Sequence, residues 1–243
     1  RVSQALVPAM ALLYLGGGAL VLLLRWQQVP QALSLMFRCA LTPQAALGGG
    51  LGWTAAEALR HGVARGVFTN EAGLGTSAMA HGAAAHACPV RQGFWGMFEV
   101  VLATLLVCSV TALVILVSGV WQPGSPGALT GAPLTAAAFS SVLGPAGSRT
   151  VSLCLLLFAF SSILGWSYYG QQCLRYLTGD DRLRPLYRAL FLLCIPLGAV
   201  WESGVVWELV DLCNALMALP NLLGLIALAP KALGTLNAVE KAV

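Results

Sequence analysis

The sequence predicts an all-α polytopic membrane protein, a bundle of helices that crosses the bilayer several times. Two observations carry this reading. Of 243 residues, 58% are hydrophobic and only 9% charged, and the mean hydropathy is +0.80. A water-soluble domain carries roughly 25% charged residues, because it must offer water a polar surface. Lipid therefore has to be the solvent for most of this surface. The second observation is run length: the ~30 Å hydrocarbon core takes about 20 predominantly apolar residues to cross as a helix, and several runs here reach that length. Open strands are excluded at that depth, since their edges would leave backbone groups unpaired.

Taken in order, Leu6–Leu24 is the first spanning run. Val29–Leu41 then places Val29, Leu33, Met36 and Phe37 on one helical face and Gln31, Ser34 and Arg38 on the other. That pattern predicts an amphipathic helix on the membrane surface or over the end of the bundle. Segment 54–87 is long enough to cross but is interrupted by polar residues and glycines. Phe94–Gly119, Val151–Tyr169, the shorter Ala189–Trp201 and Val205–Ala229 complete about six membrane helices, one discontinuous, in a single transmembrane domain over 1–243. A further short helix is expected at Leu134–Leu143, bounded by Pro126 and Pro133 before it and by Gly144-Pro145 after it.

Positive charge orders the connections. Arg175, Arg182, Arg184 and Arg188 mark 170–188 as a cytoplasmic loop. The loop 120–148 is free of charge and is expected outside. Arg91 and the tail lysines Lys231 and Lys241 fit the cytoplasmic side; Arg25 and Arg38, in an expected external stretch, run against the rule. The chain starts at Arg1 and enters an apolar run almost at once, so an upstream portion is expected to be missing.

Several function classes find no support. The net charge of +4 is scattered at helix ends, where it is a topology signal and implies no nucleic acid. The seven cysteines include no Cys-x-x-Cys pair and lie mostly in apolar runs, as small fillers. His81 and His86 are five apart and do not share a helix face, which argues against a zinc pair. Gly73-Leu-Gly75 follows no strand and precedes no Lys, so it is no phosphate loop, and there is no Gly-x-Ser-x-Gly elbow. The expectation is a protein without enzymatic activity and without a cofactor. Glu99 sits near the end of its run, where its side chain can snorkel; Asp211 and Asn214 either face a polar cavity or cap another helix.

The informative stretch is Gly62–Ser77, which sets Arg65, Thr69, Asn70 and Glu71 among glycines in mid-membrane. Each ionised side chain at the centre of a span costs ~2.5–3.5 kcal/mol on insertion scales, and an interior Gly costs ~1 kcal/mol against Ala. A discontinuous helix, unwound near Asn70–Gly75 and turned to the bundle interior, resolves both penalties. Unwinding exposes carbonyls to a hard cation such as Na⁺ and N–H groups to a carboxylate, while Gly73 and Gly75 let a small ligand approach the backbone. The competing reading is a packing face with Arg65 and Glu71 as a buried pair. A second polar cluster is Phe158–Tyr169, where Ser161 and Ser162 offer hydroxyls and Trp166 shares the face of Ser162. A ligand floor and a back-bonded serine beside an interfacial aromatic belt fit that cluster equally.

At these residues the chain resembles the alanine or glycine:cation symporter family. Gly62–Gly75 is similar to that family's hallmark, with Val67 for Leu and Thr69 for Ser; Pro89–Gly93, Phe158–Gly170 and Trp207–Asn221 extend the match. The resemblance implies the second part of a leucine-transporter-like bundle of two inverted five-helix repeats, with Leu6–Leu24 as the fifth core helix and 54–87 as the broken sixth. It implies Na⁺-coupled symport of a small neutral amino acid, alanine or glycine, by alternating access in the bacterial plasma membrane, with H⁺ as the alternative ion. Its partners would be the amino acid, the bilayer and the missing N-terminal helices of the same protein. The implied substrate residues are Phe68, Thr69, Asn70, Gly73, Gly75, Ser162 and Trp166, and the implied Na⁺ ligands are Thr69, Ser161 and Ser162. Ser-Ser in place of Thr-Thr keeps the oxygens and loses two methyls. Two rivals are an intramembrane enzyme, for which no nucleophile–base pair is found, and a non-transporting interaction fragment.

Overall fold

The computed structural model describes residues 2–41, 55–71, 73–84, 88–122, 125 and 127–240. Thr54, His86, Ala87, Lys241 and the greater part of the stretch between Arg38 and Gly52 lie outside the described residues, as do positions 123, 124 and 126 of the loop at 120–148. Among the described residues every regular element is a helix. They are α1 (Val2–Leu24), α2 (Val29–Leu41), α3 (Ala55–Asn70), α4 (Thr76–Gly82), α5 (Pro89–Val101), α6 (Cys108–Ser118), α7 (Gly131–Leu143), α8 (Pro145–Thr178), α9 (Arg184–Val200) and α10 (Ser203–Glu240).

Four helical stretches are long and apolar enough to cross a membrane: Ala5–Leu24, Pro89–Ser118, Pro145–Thr178 and Gly204–Leu236. The second joins α5 to α6 through one widened π-helical turn, Leu102–Val107. The other segments expected to span are shorter. The interrupted one is divided into α3, of 16 residues, and α4, of 7, and α9 has 17. None of the most apolar window of Gly204–Leu236 is buried within the described structure, so its covering must be lipid or further protein. Helix α8 runs to Thr178, well past Tyr169, and stops at Gly179, whose φ of 67° takes it out of the helix. The turn that follows neutralises much of its own charge, with Arg184 on Asp181 at 2.7 Å and Arg182 on Asp180 at 3.1 Å.

The chain divides into two units, Arg1–Val63 with Thr104–Ile163, and Ala64–Ala103 with Leu164–Val243. In the first, α1, α6 and α7 pack around Val21, Val114, Phe139, Val151 and Cys154, all fully buried. Small residues permit that approach: a Cβ on Gly18 would stand 2.5 Å from Val110 Cγ1, and one on Gly17 would stand 3.3 Å from the Phe139 ring. The polar group in this core is satisfied. Thr111 donates its hydroxyl hydrogen to the Val107 carbonyl at 2.8 Å, so the 2.7 Å contact with Tyr14 has the Tyr14 O–H donating to Thr111 Oγ1. The Tyr14 ring meets Phe139 and Phe158 at 5.6 and 6.3 Å.

In the second unit, α5 is packed by both α4 and α10. His81 of α4 lies between two groups of α5, with Gln92 Nε2 2.7 Å from its Nδ1 and Glu99 Oε2 3.4 Å from its Nε2. Between α8 and α9, Gly170 lies directly under the Tyr187 hydroxyl, and Arg188 Nε donates to Gln171 Oε1 at 2.9 Å.

Candidate functional site

The helix interruption begins at Glu71. Its N–H still donates to the Val67 carbonyl at 3.1 Å, but its φ of 54° turns the chain out of the helix. This left-handed conformation is uncommon for a residue with a Cβ and is held only where surrounding structure over-determines it. The Leu74 N–H donates to the Glu71 carbonyl at 3.0 Å and closes a tight turn. Gly75 follows with φ 83°, and α4 starts at Thr76. Leu74 and Thr76 are 4% and 1% exposed, so the turn is anchored by packing on both sides of Gly75.

Helix α10 holds this segment at two levels. Asn221 Nδ2 donates to the Gly73 carbonyl at 3.0 Å. A Cβ on Gly75 would come within 2.9 Å of Asn221 Oδ1, so Gly75 is required both by its φ and by this contact. Nearer the start of α10, Asp211 accepts from both terminal nitrogens of Arg65, at 3.0 and 3.3 Å. The Arg65 guanidinium lies 3.9 Å over the Trp207 ring, and Trp207 meets Phe68 edge-on at 5.8 Å. Trp207 and Asp211 are four apart on one helix face, which lets a single arginine use the ring and the carboxylate together.

Arg65 is thus paired with Asp211, in place of the Arg65–Glu71 pair that a pure packing face would have made. Six positions separate Arg65 from Glu71, so on a helix they point to different faces. The Glu71 carboxylate lies instead beside Thr76 and the Trp166 indole.

The residues singled out in the sequence are distributed as follows. Phe68, half-buried, packs on Trp207. The Thr69 hydroxyl is exposed and donates to the Arg65 carbonyl at 2.8 Å, with its oxygen lone pairs facing outward from that bond. Asn70 ends α3, and Gly73 and Gly75 form the turn. Trp166 belongs to the same unit as the turn, and it is edge-on to Tyr169 at 6.1 Å. Ser161 and Ser162 lie on α8 in the other unit. Ser161 Oγ donates to the Phe158 carbonyl at 2.9 Å, while Ser162 is exposed.

Of this arrangement, the sequence offered Asp211 only as a residue facing a polar cavity or capping another helix, and it gave Trp207 and Asn221 no individual role. The available signal was a polar residue recurring in an otherwise apolar run, at Asp211 and again at Asn221, less than a quarter turn apart in helical projection. Their partners lie 146 and 148 positions away, a separation that local periodicity does not register.

The chain is similar to known proteins over nearly its whole length. The chain is 42% identical over 227 residues to an uncharacterized transporter of Haemophilus influenzae, covering 93% of this chain and 49% of that protein. It is 40% identical over 229 residues to the sodium/alanine symporter AgcS of Methanococcus maripaludis, covering 94% and 49%. It is 35% identical over 229 residues to a protein of Bacillus subtilis named "Probable sodium/glutamine symporter GlnT", covering 94% and 46%. The chain therefore spans about half the length of the curated relatives it matches. The family model described as Sodium:alanine symporter family matches residues 1–243, and with these relatives it shows that the chain belongs to the sodium:alanine symporter family, a family of multi-pass membrane transporters.

Proposed function

We propose that the full-length protein carrying this chain is a Na⁺-coupled symporter of a small neutral amino acid, alanine or glycine, working by alternating access in a bacterial plasma membrane. The observation that carries the reading is the interrupted helix. A turn built on Gly73 and Gly75 and held by Asn221 takes backbone polar groups out of the helical ladder, which suits a small polar ligand. The names of two relatives, a sodium/alanine symporter and a probable sodium/glutamine symporter, support Na⁺ as the ion and an amino acid as the substrate.

In this reading Phe68 and Trp166 form apolar walls suited to a methyl group, while Thr69, Asn70, Gly73 and Gly75 present polar and backbone groups to the amino and carboxylate ends. By the family resemblance, the hydroxyl oxygens of Ser161 and Ser162 are ligands for Na⁺, and Ser162 also serves the substrate. The Ser161 hydroxyl donates its hydrogen to Phe158, which leaves oxygen lone pairs for a cation. The bundle would be the second part of a leucine-transporter-like fold.

The direct test is uptake of radiolabelled alanine and glycine into proteoliposomes of the full-length protein, with an inward Na⁺ gradient, with K⁺ in its place, and with a proton gradient alone. Accumulation that requires the Na⁺ gradient is the expected result. Accumulation driven by the proton gradient alone would reassign the ion, and no accumulation of either amino acid under any gradient would overturn the reading.

A further inference from the structure

The Gly73 carbonyl belongs to the turn between α3 and α4, outside the regular ladder of either helix. Away from water an unsatisfied carbonyl costs several kcal/mol. The donor that meets it comes from another helix, Asn221 Nδ2 at 3.0 Å. The rest of the same side chain lies against Gly75, where a Cβ would meet Asn221 Oδ1 at 2.9 Å, Cγ at 3.2 Å and Cβ at 3.6 Å. One amide group therefore touches both glycines of the turn. It determines where the Gly73 carbonyl points and how close α10 stands to Gly75.

The setting on α10 suits this task. Pro220 immediately precedes Asn221 inside the helix and lacks the N–H that would bond the Leu216 carbonyl, so the ladder is already open there. Asp211, ten residues earlier and about 15 Å along the axis, holds the body of α3 through Arg65. Helix α10 thus grips the interrupted helix once in its regular part and once at the turn.

We infer that Asn221 is a positioning residue for substrate binding: its amide fixes the backbone direction of the Gly73–Gly75 turn, and the ligand reads that direction. The inference rests on the turn being the binding wall for a small amino acid. Asn is suited to the place because it supplies a donor to Gly73 and a flat, short side chain to Gly75. Aspartate has the same shape and offers a carboxylate oxygen where the donor was, so it repels the carbonyl. Leucine keeps the volume and supplies neither.

The experiment uses the full-length protein, purified and reconstituted, with Asn221→Asp and Asn221→Leu. Equilibrium binding of labelled alanine at saturating Na⁺ is measured beside uptake kinetics and thermal midpoint. The expected result is a roughly five- to tenfold rise in the half-saturating alanine concentration for both variants, on the scale of one lost hydrogen bond. The maximal uptake rate should stay within about twofold, a split that loss of stability alone does not produce. Native half-saturation in either reconstituted variant would overturn the inference and leave Asn221 as a packing residue. If both variants fail to assemble, Asn221→Ser, smaller and still polar, is measured by the same criterion. Gly73→Leu separates the two levels. Native uptake in that variant removes the binding wall itself, whereas lost uptake there with native Asn221→Asp removes only the role of Asn221.

Discussion

Gly73 and Gly75 differ in what the missing Cβ does for the turn. Gly75 needs a left-handed φ and a bare α-carbon under Asn221, whereas Gly73 has ordinary space around it apart from Val67 Cγ1, 3.3 Å from an ideal Cβ. Gly73→Leu should therefore fold and reach the membrane at near-native abundance, yet abolish uptake, because a bulky side chain holds the substrate off the backbone. Near-normal uptake would show that the turn is not the binding surface. In the proposed function, Ser161 is the counterpart for the ion. Ser161→Ala should raise the Na⁺ concentration for half-maximal uptake severalfold and weaken apparent alanine affinity at fixed Na⁺, with saturating Na⁺ restoring it, because linkage is reciprocal. Ser162→Ala should weaken alanine affinity even at saturating Na⁺. An unchanged Na⁺ titration in Ser161→Ala would leave that hydroxyl with its Phe158 hydrogen bond and no more.

At the scale of elements, packing between neighbouring helices depends on a few contacts that admit no extra atom. Gly170 of α8 lies directly under the Tyr187 hydroxyl of α9, so Gly170→Ala must displace the Tyr187 ring or push the two helices apart. Overpacking of this kind costs about 1–3 kcal/mol. The thermal midpoint in detergent should fall in Gly170→Ala in the native background, and fall much less when the same change is made in a Tyr187→Ala background, which lacks the ring. An equal fall in both backgrounds would place the strain elsewhere. The grip of α10 on α3 is testable as well. Arg65 and Asp211 are each about a third exposed, so solvent screens the pair and its coupling belongs near 1 kcal/mol, raised by the Trp207 stack. A double-mutant cycle of Arg65→Ala and Asp211→Ala on thermal midpoints reads that coupling, and strict additivity would show that the pair contributes nothing.

On the scale of the whole molecule, the distribution of charge makes a statement about orientation. Arg175, Arg182, Arg184 and Arg188 gather around the turn after α8, while 120–148 carries no charge. Asp180 and Asp181 pair with three of these arginines, but acidic residues count little in setting orientation. In a cysteine-free version of the full-length protein, Ser125→Cys should react with an impermeant maleimide from outside intact cells. Thr178→Cys should react only after permeabilisation. External labelling of Thr178→Cys would reverse the topology.

Local pattern was enough for much of this architecture. The apolar runs announced the long helices, the 3.6-residue periodicity of 29–41 coincides with α2, and the short helix expected at Leu134–Leu143 lies within α7. The interruption was legible as well, because Arg, Asn, Glu and glycine in mid-span carry penalties that a continuous lipid-facing helix does not tolerate. Helix ends were harder: α8 continues to Thr178, since nothing in Gln171–Leu177 breaks a helix before Gly179. Partner choice was not legible at all. Whether Arg65 meets Glu71 or Asp211, and which side chain satisfies the Gly73 carbonyl, depends on residues about 150 positions apart. A periodicity reports which face of a helix is apolar, because that depends only on neighbours along the chain. It is silent on which other helix comes to that face, because packing in three dimensions selects the partner, and here it selected α10.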